Sequence, residues 1–284
     1  MDGEPAIDPG EPRIEVRPTA DDVSEAAAQL IADEIADATR RRGRADWATT
    51  GGSTPIGIYR RLAASPLRDR VPWDVVHVWW GDDRFVPRDH PLSNVLPLDE
   101  VLLAASAYSG QSGTGESGID VLAGREAGVR IPPANIHAMA MGPAIAAGHD
   151  TAWVAAAYER ELRAADLPMH AGVPILDVVL VGMGPDGHVL SDFPGSTAFE
   201  GGGWVVPVAA PTHLDPKVAR VSLSPAFLEA ARLVLVVVHG AAKAEILATV
   251  LGEARDPDQW PIQRARRPNA VWLLDEAAAS RPPP

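Results

Sequence analysis

An aspartate and a histidine lie two residues apart on a glycine-rich turn in the second half of the chain. The turn reads GMGPDGH at 182–188 and follows directly after an apolar run at 176–181. A histidine can take a proton from water near neutral pH, and a neighbouring carboxylate can fix its tautomer. Its place on a loop at a strand end makes His188 a candidate general base, with Asp186 beside it. The alternative is a structural or merely exposed histidine.

The same turn has the glycine spacing of a dinucleotide-binding motif, at Gly182, Gly184 and Gly187. We reject that interpretation for two reasons. Pro194 limits any helix after the turn to a short one, and no acidic residue lies about 20 residues after Gly187 to bind a ribose hydroxyl. What remains is a tight turn that presents an aspartate and a histidine.

A second polar segment begins with Asp82, Asp83 and Arg84, directly after the apolar run 75–80. In a parallel sheet this position lies at the carboxyl edge, where ligands bind. Asp82 could orient a base or a substrate hydroxyl, and the guanidinium of Arg84 could bind an oxyanion with two hydrogen bonds. The alternative is a solvated charged loop.

A third segment, GGSTP at 51–55, lies between a short strand and a helix that Pro55 can begin. Gly51 and Gly52 let the backbone approach a ligand closely, and the first turn of the helix, behind Ser53, offers free amide hydrogens to an anion such as phosphate. The alternative is an ordinary strand-to-helix turn.

Two further cations, Arg220 and Lys243, have plausible access to the same edge. Lys243 lies early in a predicted helix, where the helix dipole disfavours a positive charge, and this cost suggests that it meets an anion. The alternative for Lys243 is a solvated lysine whose stem packs on apolar neighbours.

Strand-like and helix-like stretches alternate along the chain. The predicted strands are 46–50, 75–80, 176–181, 204–208, 221–223, 233–238 and 270–274. The predicted helices run from Asp21 or Asp22 to Gly43, from Pro55 onward, and over 94–105, 151–165, 226–231 and 241–251.

This alternation predicts an α/β fold, with a mostly parallel, Rossmann-like doubly wound sheet and helices on both faces. We expect one domain over 13–280. Residues 1–12 are expected to form a disordered tail because they are rich in proline and poor in groups that can pack. A Gly/Ser-rich stretch near 108–118 is expected to be a flexible insertion.

Charge and composition exclude several classes of protein. The net charge is −13, so the field of the whole surface repels nucleic acid and anionic lipid. The chain has no cysteine, which excludes disulfides and thiolate chemistry. No signal-like or long apolar segment is present, so we predict a cytoplasmic protein that binds neither nucleic acid nor membrane.

Taken together, these segments resemble the 6-phosphogluconolactonase family of the pentose phosphate pathway. The family pattern contains GGSTP, W-x-D-E-R-x-V-P followed by S-N, and G-x-G-x-D-G-H with a later F-P-G. The corresponding stretches here are 51–55, 80–87 with 93–94, and 182–188 with 193–195. The segments at 220–223, 243–244 and 270–272 also match, in the same order along nearly the whole chain.

The resemblance implies that His188 activates water to attack the carbonyl of a phosphorylated sugar lactone. It implies Asp186 and Asp82 as orienting groups, and Arg84 as the residue that stabilises the oxyanion or binds substrate. The implied substrate- and phosphate-binding residues are Gly51, Gly52, Ser53, Asn94, Arg220 and Lys243. No metal and no organic cofactor is implied, and we expect a monomer or a weak homo-oligomer.

The chain departs from this pattern at two positions. Asp83 stands where the family usually has Glu, and VLSDFPG follows His188 in place of TASLFPG. The second change introduces Asp192, whose charge would weaken phosphate binding if it faced the pocket.

Two other functions stay open at this point. A related amino-sugar phosphate isomerase or deaminase has a similar turn but usually continues to N-E-P-G. A non-catalytic sugar-phosphate sensor is the other alternative, but the short acidic N-terminus leaves no room for a DNA-binding helix pair.

Overall fold

The computed structural model describes residues 10–103, 128–252 and 254–281. Residues 1–9 of the predicted tail and the predicted insertion near 108–118 lie outside the described residues. The α-helices are α1 (Ala20–Arg42), α2 (Thr54–Leu62), α3 (Leu67–Arg70), α4 (Met141–Ala146), α5 (Thr151–Ala164), α6 (Ala226–Ala230) and α7 (Ala244–Gly252).

The strands are β1 (Arg13–Arg17), β2 (Ala45–Thr49), β3 (Val76–Trp80), β4 (Asp82–Arg84), β5 (Ile136–His137), β6 (Met169–His170), β7 (Val173–Pro174), β8 (Val178–Val181), β9 (Val205–Val208), β10 (Arg220–Leu223), β11 (Leu233–Val238) and β12 (Ala270–Asp275). Most lie within two residues of the predicted bounds, because apolar runs bounded by polar turns are a strong local signal.

The central sheet has seven strands in the order β1-β12-β11-β8-β2-β3-β5, and every neighbouring pair is parallel. The predicted parallel sheet is therefore confirmed. Two predicted strands do not belong to it: β9 and β10 pair antiparallel with each other, and β10 pairs antiparallel with β4. No described helix separates β9 from β10, so nothing carries the chain across to a parallel position.

Helices cover both faces of the central sheet, as predicted. Trp47 of β2 pairs with Val78 of β3, so these two side chains point to the same face of the sheet. Trp79, the next residue of β3, therefore points to the opposite face. Trp47 packs edge-on against Tyr59 of α2, at 6.0 Å between ring centroids. On the other face Trp79 packs against Tyr158 of α5, at 5.9 Å.

Helix α1 begins at a capping box in which Thr19 accepts a hydrogen bond from the amide of Asp22, and the Asp22 side chain accepts one from the amide of Thr19. The N-cap is thus Thr19 rather than Asp21 or Asp22. The helix ends at Gly43, which has the left-handed conformation that favours glycine (φ 74°).

The predicted helix 94–105 is wrong at its start. The described helical part begins after Val95 and ends in a π-helix over Leu98–Leu102. Asn94 instead lies in a loop, where its backbone and side chain bind Asp83 and Asp82. Among the described residues, no helix combines the length and the apolar character needed to span a membrane.

Candidate active site

The carboxyl ends of four neighbouring strands, β11, β8, β2 and β3, open into one cavity of about 310 Å³. All the predicted site residues except Asp186 line it: Gly51, Gly52, Ser53, Asp82, Arg84, Asn94, His188, Arg220 and Lys243. Because parallel strands bring their following loops to one edge, segments far apart in sequence meet here.

His188 and Asp186 form a hydrogen-bonded pair. His188 Nδ1 lies 2.6 Å from Asp186 Oδ1, and the His188 amide donates to the same oxygen at 3.2 Å. An ionised carboxylate only accepts hydrogen bonds, so Nδ1 carries the proton and Nε2 is the free basic nitrogen. Asp186 does not line the cavity but acts on it through this histidine.

The turn that holds His188 requires glycine at two places. A Cβ on Gly184 would lie 2.0 Å from His188 Nδ1, so only glycine lets the ring occupy its position. Gly187 has a φ of 80°, in the left-handed region that disfavours side chains. The ring of Phe193 packs on His188 from the other side, at 4.7 Å between centroids.

The second oxygen of Asp186 binds His213, whose Nε2 lies 2.7 Å from Oδ2. Partial burial raises the pKa of Asp186, but the hydrogen bonds from both histidines and the positive charge of His188 in its protonated form outweigh it and hold this pKa well below its ordinary value. The carboxylate therefore stays ionised at neutral pH.

Asp82 binds a separate group of residues and makes no hydrogen bond to His188 in the described structure. Its buried carboxylate accepts hydrogen bonds from Ser191 Oγ at 2.7 Å and Asn94 Nδ2 at 3.1 Å. The guanidinium of Arg220 lies 3.8 Å from it. Asp82 thus orients Asn94 and Arg220 rather than the base.

Asp83 holds the loop between β4 and Asn94 through its carboxylate. The Asp83 side chain is buried and accepts hydrogen bonds from the amides of Arg84 at 2.8 Å and Asn94 at 2.7 Å. Burial raises the pKa of Asp83 to about 7, although these two hydrogen bonds lower it. Although aspartate is shorter than the glutamate of the family pattern, Asp83 thus still binds the amides of both Arg84 and Asn94.

Arg84 and Arg220 are directly opposite each other on the paired strands β4 and β10. Arg84 donates to the carbonyl of Leu92 at 2.9 Å, and Arg220 lies over the Phe193 ring, 5.1 Å from its centroid. Burial lowers the pKa of Arg220, Asp82 raises it, and Arg84 lowers it.

Three buried polar atoms around this cavity have no hydrogen-bond partner in the described structure: Arg84 Nε, Asn94 Oδ1 and Arg220 Nε. An unpaired buried polar atom costs free energy, so native proteins pair nearly all of them. Unpaired atoms of three residues that line the same cavity indicate a polar ligand that completes their hydrogen bonds.

The cavity lining also contains Gly51–Ser53 and Lys243. Ser53 is the N-cap of α2 but makes no side-chain capping bond, which leaves the amide of Thr54 for a ligand. Pro55 has no amide hydrogen, and the Ile56 amide donates to the Ser53 carbonyl at 3.4 Å. Lys243 ends a 3-10 turn (Ala241–Lys243) and donates to the carbonyl of Met183 at 2.8 Å. Burial lowers the pKa of Lys243, and Asp186 opposes this effect.

Asp192 does not line this cavity. It is buried and pairs with Arg264, whose Nε lies 2.9 Å from Asp192 Oδ2. Together these two residues line a different cavity of about 610 Å³, which contains no predicted site residue.

Sequence reasoning missed His213, His239 and the role of Ser191. His239 follows β11 and lines the cavity. Ser191 belongs to a segment singled out in the sequence, yet only the structure brings it to Asp82. His213 has no local signal at all, because its loop carries no periodicity or glycine motif.

The chain is similar to known proteins over most of its length. The sequence model of the family described as "Glucosamine-6-phosphate isomerases/6-phosphogluconolactonase" matches residues 18–273. A 6-phosphogluconolactonase of Streptomyces coelicolor is 36% identical over 96% of this chain and 95% of its own length. A 6-phosphogluconolactonase of a Nostoc species is 34% identical over 94% and 97%.

Among solved structures, the 6-phosphogluconolactonase of Trypanosoma brucei superposes with a TM-score of 0.74 at 28% identity, over 95% of this chain and 98% of that one. The match of the family model to most of the chain, together with relatives above 30% identity over nearly their full length, establishes the family. The chain belongs to the glucosamine-6-phosphate isomerase/6-phosphogluconolactonase family.

Proposed function

We propose that this protein hydrolyses 6-phospho-D-glucono-1,5-lactone to 6-phospho-D-gluconate. The observation that carries the proposal is the His188–Asp186 pair, which leaves Nε2 of His188 as a free base at a cavity lined by cations. The relatives of highest identity named above are lactonases, which supports the same reaction.

In the proposed reaction, His188 Nε2 takes a proton from water, and the water oxygen bonds to the lactone carbonyl carbon. The carbonyl oxygen becomes an oxyanion, for which Arg84 supplies a cation with an unpaired Nε. When the bond from this carbon to the ring oxygen breaks, His188 returns its proton to the ring oxygen. A lactone is an activated ester, so one base and good positioning suffice without a covalent intermediate.

The phosphate group of the substrate fits the wall formed by Gly51, Gly52, Ser53 and Lys243. The free amide of Thr54 at the start of α2 and the ammonium of Lys243 suit a dianion. Arg220 lies in the same cavity, 3.8 Å from Asp82, and Asn94 offers its unpaired carbonyl oxygen to a sugar hydroxyl. The partner is thus a small phosphorylated sugar lactone.

The second candidate is an isomerase or deaminase of amino-sugar phosphates, since the family includes both activities. The segment after His188 ends in Phe193-Pro194-Gly195 rather than N-E-P-G, so it lacks the glutamate that would assist ring opening. This observation favours the lactonase.

The test is the rate of lactone hydrolysis at constant pH, measured above the spontaneous rate and with a chelator present. We expect His188→Ala to lower kcat by roughly 100-fold or more, because it removes the base. His170→Ala is the matched control, since His170 is exposed on the short strand β6. Wild-type protein no faster than the spontaneous reaction, or active only on glucosamine 6-phosphate, would overturn the proposal.

The cytoplasmic location and the monomeric or weakly associated state remain predictions from the sequence. A sizing column run over a range of protein concentrations tests the second of them.

A further inference from the structure

Asp186 carries a histidine on each of its carboxylate oxygens. We propose that His213 is a positioning residue that acts on His188 through Asp186. The inference rests on the proposed function, in which His188 is the base, and it adds a residue that this mechanism does not use.

The geometry gives His213 a specific task. The terminal torsion of an aspartate is broad, so a carboxylate held at one oxygen can still rotate. Oδ1 of Asp186 binds Nδ1 of His188 at 2.6 Å, and Oδ2 binds Nε2 of His213 at 2.7 Å. With a donor on each oxygen, the plane of the carboxylate is fixed, and the ring of His188 is fixed with it.

The surroundings hold His213 in place. Its ring meets Phe193 edge-on, at 5.9 Å between centroids, and Phe193 also packs on His188. The loop that carries His213 joins β9 to β10, and β10 begins with Arg220 in the cavity wall. His213 is therefore anchored to the same structure as the base, although 47% of its side chain is exposed.

The hydrogen bond from His213 to Asp186 also changes the negative charge of the carboxylate that His188 contacts. Besides the two histidines, the charged groups that interact with Asp186 are Arg220 and Lys243. The His213 donor withdraws negative charge from Asp186. Without it the carboxylate attracts the proton of the imidazolium more strongly, so His188 becomes a stronger base that returns its proton less readily.

The experiment compares His213→Gln, whose amide nitrogen replaces Nε2 as a donor, with His213→Leu, which keeps the bulk and removes the donor. We expect His213→Leu to lower kcat by about tenfold with KM nearly unchanged, as for the loss of one hydrogen bond to a charged group. The His188 titration, followed by NMR, should move to higher pH. His213→Gln should restore both values.

A second arm repeats His213→Leu in an Asp186→Asn background. If His213 acts through Asp186, the two losses are not additive, and the second substitution lowers kcat by less than about twofold. Additive losses, equal losses for Gln and Leu, or a change in KM alone would overturn the proposal.

The NMR titration needs no turnover, so it separates this inference from the proposed function. A wild-type protein without lactonase activity would refute the function. A His188 titration that is identical in wild type and His213→Leu would refute the inference. Thermal unfolding of each variant verifies folding, and His213→Asn, which is too short to reach Asp186, replaces the Leu variant if that one unfolds.

Discussion

The carboxylate of Asp192 points away from the substrate cavity and pairs with Arg264 at 2.9 Å. A family pattern that has leucine at this position made the extra charge a concern, because it follows His188 by only four residues. The ion pair with Arg264 offsets this charge, and Asp192 does not line the cavity, so its remaining effect there is its electrostatic interaction with His188.

Asp192→Leu should therefore leave KM for the phosphorylated lactone within about twofold of wild type, since Asp192 is paired with Arg264 and does not line the cavity. Arg264 also pairs with Asp258, so its guanidinium keeps a carboxylate partner in the Asp192→Leu variant. Arg264→Leu is the matched comparison. It leaves a buried carboxylate unpaired and should lower the free energy of unfolding by about 1–3 kcal/mol, a range reduced from that of fully buried pairs because Arg264 is partly exposed.

Steady-state kinetics and urea unfolding of both variants check these values. A large fall in KM for Asp192→Leu would contradict the conclusion that this paired charge does not weaken phosphate binding.

Gly184→Ala should separate His188 from Asp186. The new methyl group would lie 2.0 Å from Nδ1 in the present geometry, so the imidazole must move. A displacement of about 1 Å at a catalytic group costs on the order of 100-fold in rate. We expect kcat to fall by this factor, with KM changed far less. Gly201→Ala, where the new Cβ meets nothing within 4 Å, is the control.

Lys243→Met tests the phosphate wall. The substitution keeps the stem of the side chain and removes the cation, so binding of the phosphate dianion should weaken and KM should rise by about tenfold or more. The same variant should treat the unphosphorylated lactone like the wild-type protein. Equal losses on both lactones would mean that Lys243 does not recognise the phosphate.

The raised pKa of Asp83 predicts that the stability of the protein depends on pH. Its pKa is about 7 in the folded protein, against a model-peptide value of 3.8. Between these two values the folded state holds a proton that the unfolded state has lost. The contribution of Asp83 to stability is therefore present at low pH and is lost as the pH rises toward and through 7.

Asp83→Asn keeps an oxygen that can accept from the amides of Arg84 and Asn94 but cannot ionise. Relative to wild type, the variant should gain stability as the pH rises from 5 to 8. Urea unfolding at several pH values measures the difference, in which the other titrating groups largely cancel. A difference that does not change with pH would contradict the raised pKa.

Local signals in the sequence predicted five of the seven strands of the central sheet and most residues of the candidate site. The apolar run Leu233–Val238 coincides with strand β11, and the motifs lie at strand ends as the parallel fold requires. Strand β1 was not predicted, because its alternation of charged and apolar residues suits an exposed edge that its sequence alone does not identify. The small sheet was missed because its strands pair across long stretches of chain, which no local pattern records.

The role of each polar residue was harder to predict. Asp82 and Asp83 are adjacent and chemically alike, but one binds side chains of the cavity and the other binds backbone amides beneath it. Only their opposite orientation on a strand separates these tasks. His213 gave no signal because its function depends on meeting Asp186 in space.

The facing arginines of β4 and β10 link ligand binding to folding. Like charges directly opposite on paired strands destabilise a sheet, and here the register itself sets Arg84 against Arg220. An anion between them converts this repulsion into attraction, and a ligand that binds only the folded state shifts the unfolding equilibrium by mass action. In the empty protein Asp82 already offsets the repulsion, because its effect on Arg220 is larger than that of Arg84, and a bound anion would add to this stabilisation.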